Sequence, residues 1–414
     1  MSLTYATFRT FLLNNEPCLL PREVVQAWPI CEQWRLQRPS TTVVGPTSES
    51  SSNSTSTPNY DYLGATFGHY PLSSVVDQGC LSAAEAPSTF GSLLDLWRNG
   101  DGRSLYLKDW HLPAIFAAQG TNSGDPNRSQ SCGFYEVPCL WRDDWLNCYH
   151  LSNSNDDFRF VYAGGADTFT PLHRDVFNSF SISTNIIGTK RWYLFPPALT
   201  SALEPMLARA RWDEGCVNVE EWGKQQKEDF ASKGMMVFVQ EEGETLFVPS
   251  GWHHHVTNLS HPTISLNHNW INAHNLPAAY WSLAREASLC AQSISDVKEL
   301  LQHHNKVDWR PRWAECVSDL LSQSAGWNWS TFWAMILFAL ENCCQPHKKS
   351  SSHWPTVTSD LQPPVQYLIA QVQPLLADFM SRGHAEHLHL PGLPELLVCI
   401  GHQLECLGDH VRMS

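Results

Sequence analysis

From residue 104 to residue 267 the chain is broken into short β-type runs, which exclude a purely helical fold. The runs are Ser104–Lys108, Phe158–Tyr162, Phe180–Ile187, Arg191–Phe195, Thr245–Val248 and Thr263–Asn267. Turn formers separate them at Gly164-Gly165, Pro196-Pro197 and Pro249-Ser250-Gly251. Many short strands punctuated in this way predict a closed or double-sheet β architecture. After about Leu276 the apolar period lengthens to that of a helix. Ala278–Leu289, Val297–His304, Trp313–Leu321, Thr331–Leu340, Val365–Met380 and Leu393–Leu407 all carry apolar residues at helical spacing. The chain therefore reads as an N-terminal segment over 1–59, a mainly β core with helices over 60–275, and an α-helical C-terminal domain over 276–414. Within the first segment, Phe8, Phe11, Leu12 and Leu13 predict one short helix, and residues 39–58 form a Ser/Thr-rich loop. Thr89 is a plausible N-cap for a helix running to Trp97. A second polar loop lies near 345–359, and no repeat of fixed period is present.

Composition narrows the function. Forty-three per cent hydrophobic residues and 18 tryptophans describe a folded protein. A formal charge of -14 without a Lys/Arg block argues against direct nucleic-acid binding, since phosphates demand a basic surplus. The first 20 residues lack the basic and apolar regions of a signal peptide. The most apolar helix candidate, Phe332 to Leu340, is about half the length a bilayer requires, so no membrane association is expected. Thirteen cysteines, odd in number and without CxxC pairs, read as reduced thiols of a cytoplasmic protein, with the nucleus also open. Cys343-Cys344 reads as a helix-end packing pair. The sequons at Asn53, Asn127, Asn258 and Asn328 carry no meaning without secretion. The Ser50–Ser56 stretch reads as a solvated loop.

The chemistry concentrates in His173-Arg174-Asp175 and in the later run Trp252-His253-His254-His255. A His and an Asp two residues apart in a strand project to one face, because side chains alternate with period 2. An imidazole from another strand would complete two histidines and one carboxylate on one face of a metal. The opposite positions stay open, as non-haem Fe(II) oxygenases need; zinc is more often closed by four ligands or by three and a water. Lys190 opens the otherwise apolar strand Arg191-Trp192-Tyr193-Leu194-Phe195. By itself that stretch favours a snorkelling strand-end lysine. Near a metal, the same lysine would pair with the far carboxylate of a dicarboxylate co-substrate.

Three stretches together resemble the JmjC family of Fe(II)- and 2-oxoglutarate-dependent oxygenases. They are Thr170-Pro171-Leu172-His173-Arg174-Asp175, Gly188-Thr189-Lys190-Arg191-Trp192-Tyr193-Leu194-Phe195-Pro196-Pro197 and Val248-Pro249-Ser250-Gly251-Trp252-His253-His254-His255. The resemblance covers roughly residues 60–275 and implies a double-stranded β-helix, a jelly-roll or cupin-like barrel. Within the family, Leu105–Leu112, Phe160–Gly164 and Ile264–Trp270 are most similar to the jumonji lysyl hydroxylases that modify the eukaryotic translation termination factor. Phe8–Pro17 and the helical tail are similar to them more loosely.

The resemblance implies roles residue by residue. His173 and Asp175 match the first two iron ligands, and His254, five residues after Pro249, matches the last. Lys190 matches the lysine that pairs with the distal carboxylate of 2-oxoglutarate, and Tyr106 and Thr170 match its hydrogen-bonding partners. Asn267 matches an asparagine near the iron. Ser183 stands where some members have Asn, a departure from the pattern. Lys108 and Asp109 would either shape the substrate entrance or form an ordinary surface pair, and Trp252 and Trp270 read as barrel packing. No catalytic group beyond the metal ligands is implied; the cofactors are Fe(II), 2-oxoglutarate and dioxygen. The expected activity is hydroxylation of a lysine side-chain carbon of a protein substrate, the termination factor, with release of succinate and carbon dioxide. Two alternatives stand beside it. A methyl-lysine demethylase usually brings zinc-binding Cys/His arrays, and the sequence has none. An inactive binding module would not need the intact ligand set and Lys190. The C-terminal helices, with Leu393, Leu396, Leu397 and Cys399, would serve either a homo-oligomer interface or internal packing.

Overall fold

The computed structural model describes residues 3–36, 56–72, 74–79, 87–119, 133–154, 156–212, 215–304, 309–343, 354, 360–381 and 387–413. The Ser/Thr-rich loop before Ser56, Asn127, Cys344 and the 345–359 loop apart from Trp354 lie outside them.

Thirteen strands occur among the described residues: β1 (Cys18–Leu20), β2 (Arg35–Leu36), β3 (Thr57–Pro58), β4 (Val75–Asp77), β5 (Leu105–Trp110), β6 (Arg159–Gly164), β7 (Phe169–His173), β8 (Phe180–Ile187), β9 (Lys190–Phe195), β10 (Met236–Gln240), β11 (Thr245–Val248), β12 (His253–Asn258) and β13 (Thr263–Trp270). Seven make one antiparallel sheet in the order β1-β11-β8-β13-β6-β5-β4, and four make a second in the order β10-β9-β12-β7. From β6 to β9 successive strands alternate between the two sheets, as do β11, β12 and β13. That winding is the double-stranded β-helix the sequence led us to expect. β8 and β13 form the middle of the larger sheet. All eight residues of β8 are buried, which is why it reads as a near-continuous buried run with polar residues set among apolar ones.

The N-terminal segment is part of this barrel. β1 extends the larger sheet by pairing with β11, Cys18 opposite Phe247. The helix Tyr5–Asn14, capped by the Thr4 side chain, sets Phe8 edge-on to Phe247 at 5.3 Å. Asn15 then binds the turn that leads into β12. Its side-chain amide donates to the Ser250 carbonyl at 2.9 Å, and the Trp252 indole donates to the Asn15 carbonyl at 2.9 Å. Gly251 in that turn has φ +80°, a backbone state that strains any residue with a Cβ. Trp270 is fully buried between Phe180 and Phe247, so both tryptophans pack the barrel. The end of the Ser/Thr-rich stretch is ordered: β3 pairs with β2, and Ser56 donates to Glu242 through its hydroxyl at 2.6 Å.

The helices Leu276–Ser293, Ser295–His304, Trp309–Ala325, Trp329–Cys343, Val365–Ser381 and Leu393–Met413 build a second core. It joins the barrel through Trp145, Leu146, Phe177 and Ile271. Along the last helix Leu393, Leu397, Ile400, Leu404 and Leu407 recur at spacings of four and three and are all buried. Leu393 and Leu397 are thus spent inside the chain, whereas Cys399 is exposed. Sequence periodicity missed the helices Tyr60–Phe67, Trp145–Asn153, Thr200–Trp212 and Lys224–Ser232, which are short or, as in Thr200–Trp212, interrupted by a proline.

Candidate metal centre

His173 is the last residue of β7 and lies directly opposite His254 of β12. Their rings meet at 4.2 Å. Asp175 does not continue the strand, as alternation had led us to expect; it sits at the N-cap of the short turn Val176–Asn178. Its backbone is still extended, φ -60° and ψ 149°, so its carboxylate swings to the same side, 3.9 Å from His254 Nε2. One donor atom from each of the three residues lies within 4.8 Å of the others. The neighbours of His254 turn the other way, as a strand requires. His255 stacks on Phe169 at 5.4 Å, and His253 lines a larger cleft but not the small cavity that holds His254.

The hydrogen bonds prepare these donors. His173 Nδ1 lies 2.8 Å from the Pro171 carbonyl, and His254 Nδ1 lies 3.3 Å from the Trp252 carbonyl. A carbonyl only accepts, so each Nδ1 carries the proton and each Nε2 is left as a lone-pair donor. Burial and the nearby His173 push the His254 imidazole down to about 4, which keeps it neutral as a ligand must be. Ser181 donates to Asp175 Oδ2 at 2.6 Å, fixing the carboxylate with Oδ1 toward the imidazoles. Two neutral imidazoles and one carboxylate on a single face suit non-haem Fe(II), and the donor set passes that test.

Tyr106, Tyr162, Thr170, Lys190, Trp192 and Asn267 line the same small cavity as the three donors. Lys190 is buried and lies in no ion pair among the described residues; its ammonium donates to Ser265 Oγ at 2.5 Å. Burial lowers its pKa to about 7. A buried ammonium without a carboxylate is costly, and the cavity it faces is where an anion would relieve it. Tyr106 and Thr170 share a hydrogen bond of 3.0 Å between their hydroxyls. Asn267 accepts from Ser183 at 2.9 Å and from Ser265 at 3.3 Å, so its carbonyl end is tied and its amide nitrogen is the end left over. Ser183 therefore orients Asn267 and does not line the cavity.

Sequence reasoning missed Tyr162, Ser181, Ser265 and Asn269. The signal was present: Ser181 and Ser183, and Ser265, Asn267 and Asn269, stand at every second position of two central strands. A polar stripe with strand period in buried sequence marks the inner face of a barrel that holds a polar ligand. Beyond the metal face, His173 and Asp175 also border a larger cleft of about 490 Å³. Arg174, Glu204, Arg211, Cys216 and Glu286 lie along it.

A second cluster gathers His111, Asp156 and Asp157 with donor atoms within 4.8 Å. It is not equivalent. Burial would lower the His111 pKa, but Asp156 at 2.9 Å and Asp157 at 3.7 Å outweigh it and raise the imidazole to about 10. Arg159 meets the other oxygen of Asp157 at 2.7 Å. The cluster is balanced by its own cations.

Comparison with known proteins agrees with this geometry. A family model described as the Cupin-like domain matches residues 4–275. The chain is similar to the 2-oxoglutarate and iron-dependent oxygenase JMJD4 of Homo sapiens, 31% identical over 322 residues, covering 75% of this chain and 70% of that protein. Its Gallus gallus counterpart is 32% identical over 308 residues, covering 72% and 65%. The arginine-specific demethylase JMJ20 of Arabidopsis thaliana is 34% identical over 282 residues, covering 63% and 55%. The chain spans about two thirds of the length of the first two.

Proposed function

The chain belongs to the cupin-like family of 2-oxoglutarate and iron-dependent oxygenases, and on that premise we propose that it is a protein hydroxylase acting on a lysine side-chain carbon of the translation termination factor. The observation that carries the oxygenase chemistry is the pairing of an open two-histidine, one-carboxylate face with a buried, anion-less lysine in one cavity. The lysyl and termination-factor assignment rests on the likeness of Leu105–Leu112, Phe160–Gly164 and Ile264–Trp270 to that subgroup.

His173, Asp175 and His254 would hold Fe(II). Bound there with 2-oxoglutarate, the metal supplies the coupling of co-substrate decarboxylation to insertion of one oxygen atom of O₂ into a substrate C–H bond, the other oxygen entering succinate. The chain's own residues bind and orient. Lys190 would take the distal carboxylate of 2-oxoglutarate as a charge-assisted hydrogen bond, with Tyr106 and Thr170 hydroxyls beside it. Ser181 holds the carboxylate ligand, and the Pro171 and Trp252 carbonyls hold the imidazole tautomers. Trp192 and Val256 keep that end of the cavity dry.

Purified protein with Fe(II), 2-oxoglutarate and recombinant termination factor tests the proposal. Succinate release coupled to one added oxygen on a lysine, absent in His173→Ala, is the expected result. The plant demethylase relative gives the competing outcome a specific form. Hydroxylation of an N-methyl group collapses to formaldehyde and the demethylated side chain. Formaldehyde from a methylated substrate, with the termination factor unmodified, would replace the hydroxylase reading.

A further inference from the structure

Between Leu107 and Trp110 the register of β5 against β6 slips, so that Lys108 and Asp109 are looped out of the ladder. Asp109 has φ +48°, a left-handed conformation rare for a residue with a side chain. Bulges that re-aim a side chain, and backbone held in sparsely populated regions, collect at functional sites. Here the re-aimed group is a carboxylate. Its Oδ1 accepts a hydrogen bond from the Tyr162 hydroxyl, and Tyr162 lines the metal cavity. Tyr162 also feels the charge of Asp175, so it lies near both carboxylates.

Asp109 is exposed, and its second oxygen has no partner among the described residues. The neighbouring Lys108 feels its charge but forms no ion pair with it among the described residues; its ammonium turns over the Tyr106 ring at 5.2 Å. Lys190 is buried with its ammonium bonded to Ser265. The mouth of the cavity thus carries a free carboxylate oxygen flanked by the Tyr106 and Tyr162 rings, whose centroids are 6.2 Å apart. Carboxylate and aromatic faces together suit an alkylammonium group. Tyr162 meets Asp109 through its hydroxyl and lines the metal cavity, so a lysine arm whose ammonium meets Asp109 would run beside this tyrosine toward the metal face. A methylene would then lie at the metal while the ammonium reaches Asp109.

We propose that Asp109 is the residue that receives the cationic end of the substrate side chain, and that the bulge exists to aim it. This rests on the hydroxylase reading for its biological sense, but its test does not. Saturation-transfer NMR of the full chain would compare Nα-acetyl-lysine methylamide with the neutral norleucine and Nε-acetyl-lysine analogues. A rim carboxylate gives a preference of about fivefold for the charged probe. Asp109→Asn should erase that preference and leave norleucine binding unchanged. Asn still accepts from Tyr162 and tolerates the left-handed backbone, so the fold is kept. The acetyl-lysine probe repeats the test on the unmutated protein. No preference in the wild type, or a preference surviving in Asp109→Asn, overturns the proposal. A lysine preference that depends on Asp109, with the termination factor left unhydroxylated, refutes the target and upholds Asp109.

Discussion

Among the described residues, two clusters bring three histidine and aspartate donors within 4.8 Å of one another, and we assign a metal to only one of them. Around His173, Asp175 and His254 each imidazole spends its Nδ1 proton on a backbone carbonyl, so both Nε2 lone pairs face inward. Around His111 the imidazole points Nδ1 at Asp156 and Asp157 and is held protonated, and Arg159 neutralises what remains. Proximity of ligand residues is common to both. The difference lies in which hydrogen bonds have been spent elsewhere, and in a cavity beside the first cluster that contains an uncompensated lysine.

Mutation at the two clusters should separate them sharply. Asp175→Ala or His254→Ala should remove Fe(II) binding and turnover, a loss larger than the roughly 100-fold that a supporting contact costs. Metal content by mass spectrometry after dialysis reads this directly; retention of stoichiometric iron by either variant would break the comparison. Lys190→Ala should leave metal content intact and weaken 2-oxoglutarate by about 2–5 kcal/mol, at least about 30-fold. Calorimetric titration of 2-oxoglutarate into the metal-loaded variant measures it.

Ser181→Ala tests whether fixing the carboxylate ligand matters. We expect metal affinity to fall by about 10- to 100-fold while the fold melts unchanged. A pH series sharpens the role of Lys190. Its pKa of about 7 means that above this pH the amine must take up a proton to pair with a carboxylate. Affinity for 2-oxoglutarate should therefore fall with rising pH above about 7, by up to about tenfold per unit, with proton uptake visible in buffers of different ionisation heat.

The smallest effect belongs to the second cluster. His111 has its pKa raised from 6.5 to about 10, so its contribution to stability is complete below 6.5 and is lost as pH rises through 10. The ring is about a third exposed, which discounts the gain to about 1 kcal/mol. His111→Gln should lower the melting temperature at pH 6, lose that deficit by pH 10 and leave metal content unchanged. Loss of a bound metal in this variant would mean that the two clusters are alike after all.

Much of this was legible beforehand in unequal degrees. β8 and β11 have the bounds their sequence predicts: Gly188 ends the first, and Gly243 and Pro249 bracket the second. Long helices such as Val365–Ser381 were also visible, since 17 residues repeat the apolar period several times. β10 was not visible: Met236, Val237 and Val239 are exposed on an edge strand, where burial no longer imposes alternation. Cys399 and Leu393 were indistinguishable in sequence, yet one faces out and the other is buried under its own chain.

By itself the sequence determined the fold class, while His173, Asp175, His254 and Lys190 were offered as site residues through its resemblance to a family. Strand period and turn chemistry are local rules and account for the β core, whereas His-x-Asp and a strand-end lysine gain their meaning only from the motifs around them. Only the tertiary structure decided that Asp175 reaches the same face as the two histidines from beyond the strand end, and that His111 Nδ1 sits in ion-pair range of two carboxylates. It alone brought Tyr162 near both Asp109 and Asp175. Those outcomes depend on which hydrogen-bond partners meet from positions 6 to 53 residues apart, and no local pattern encodes such a meeting.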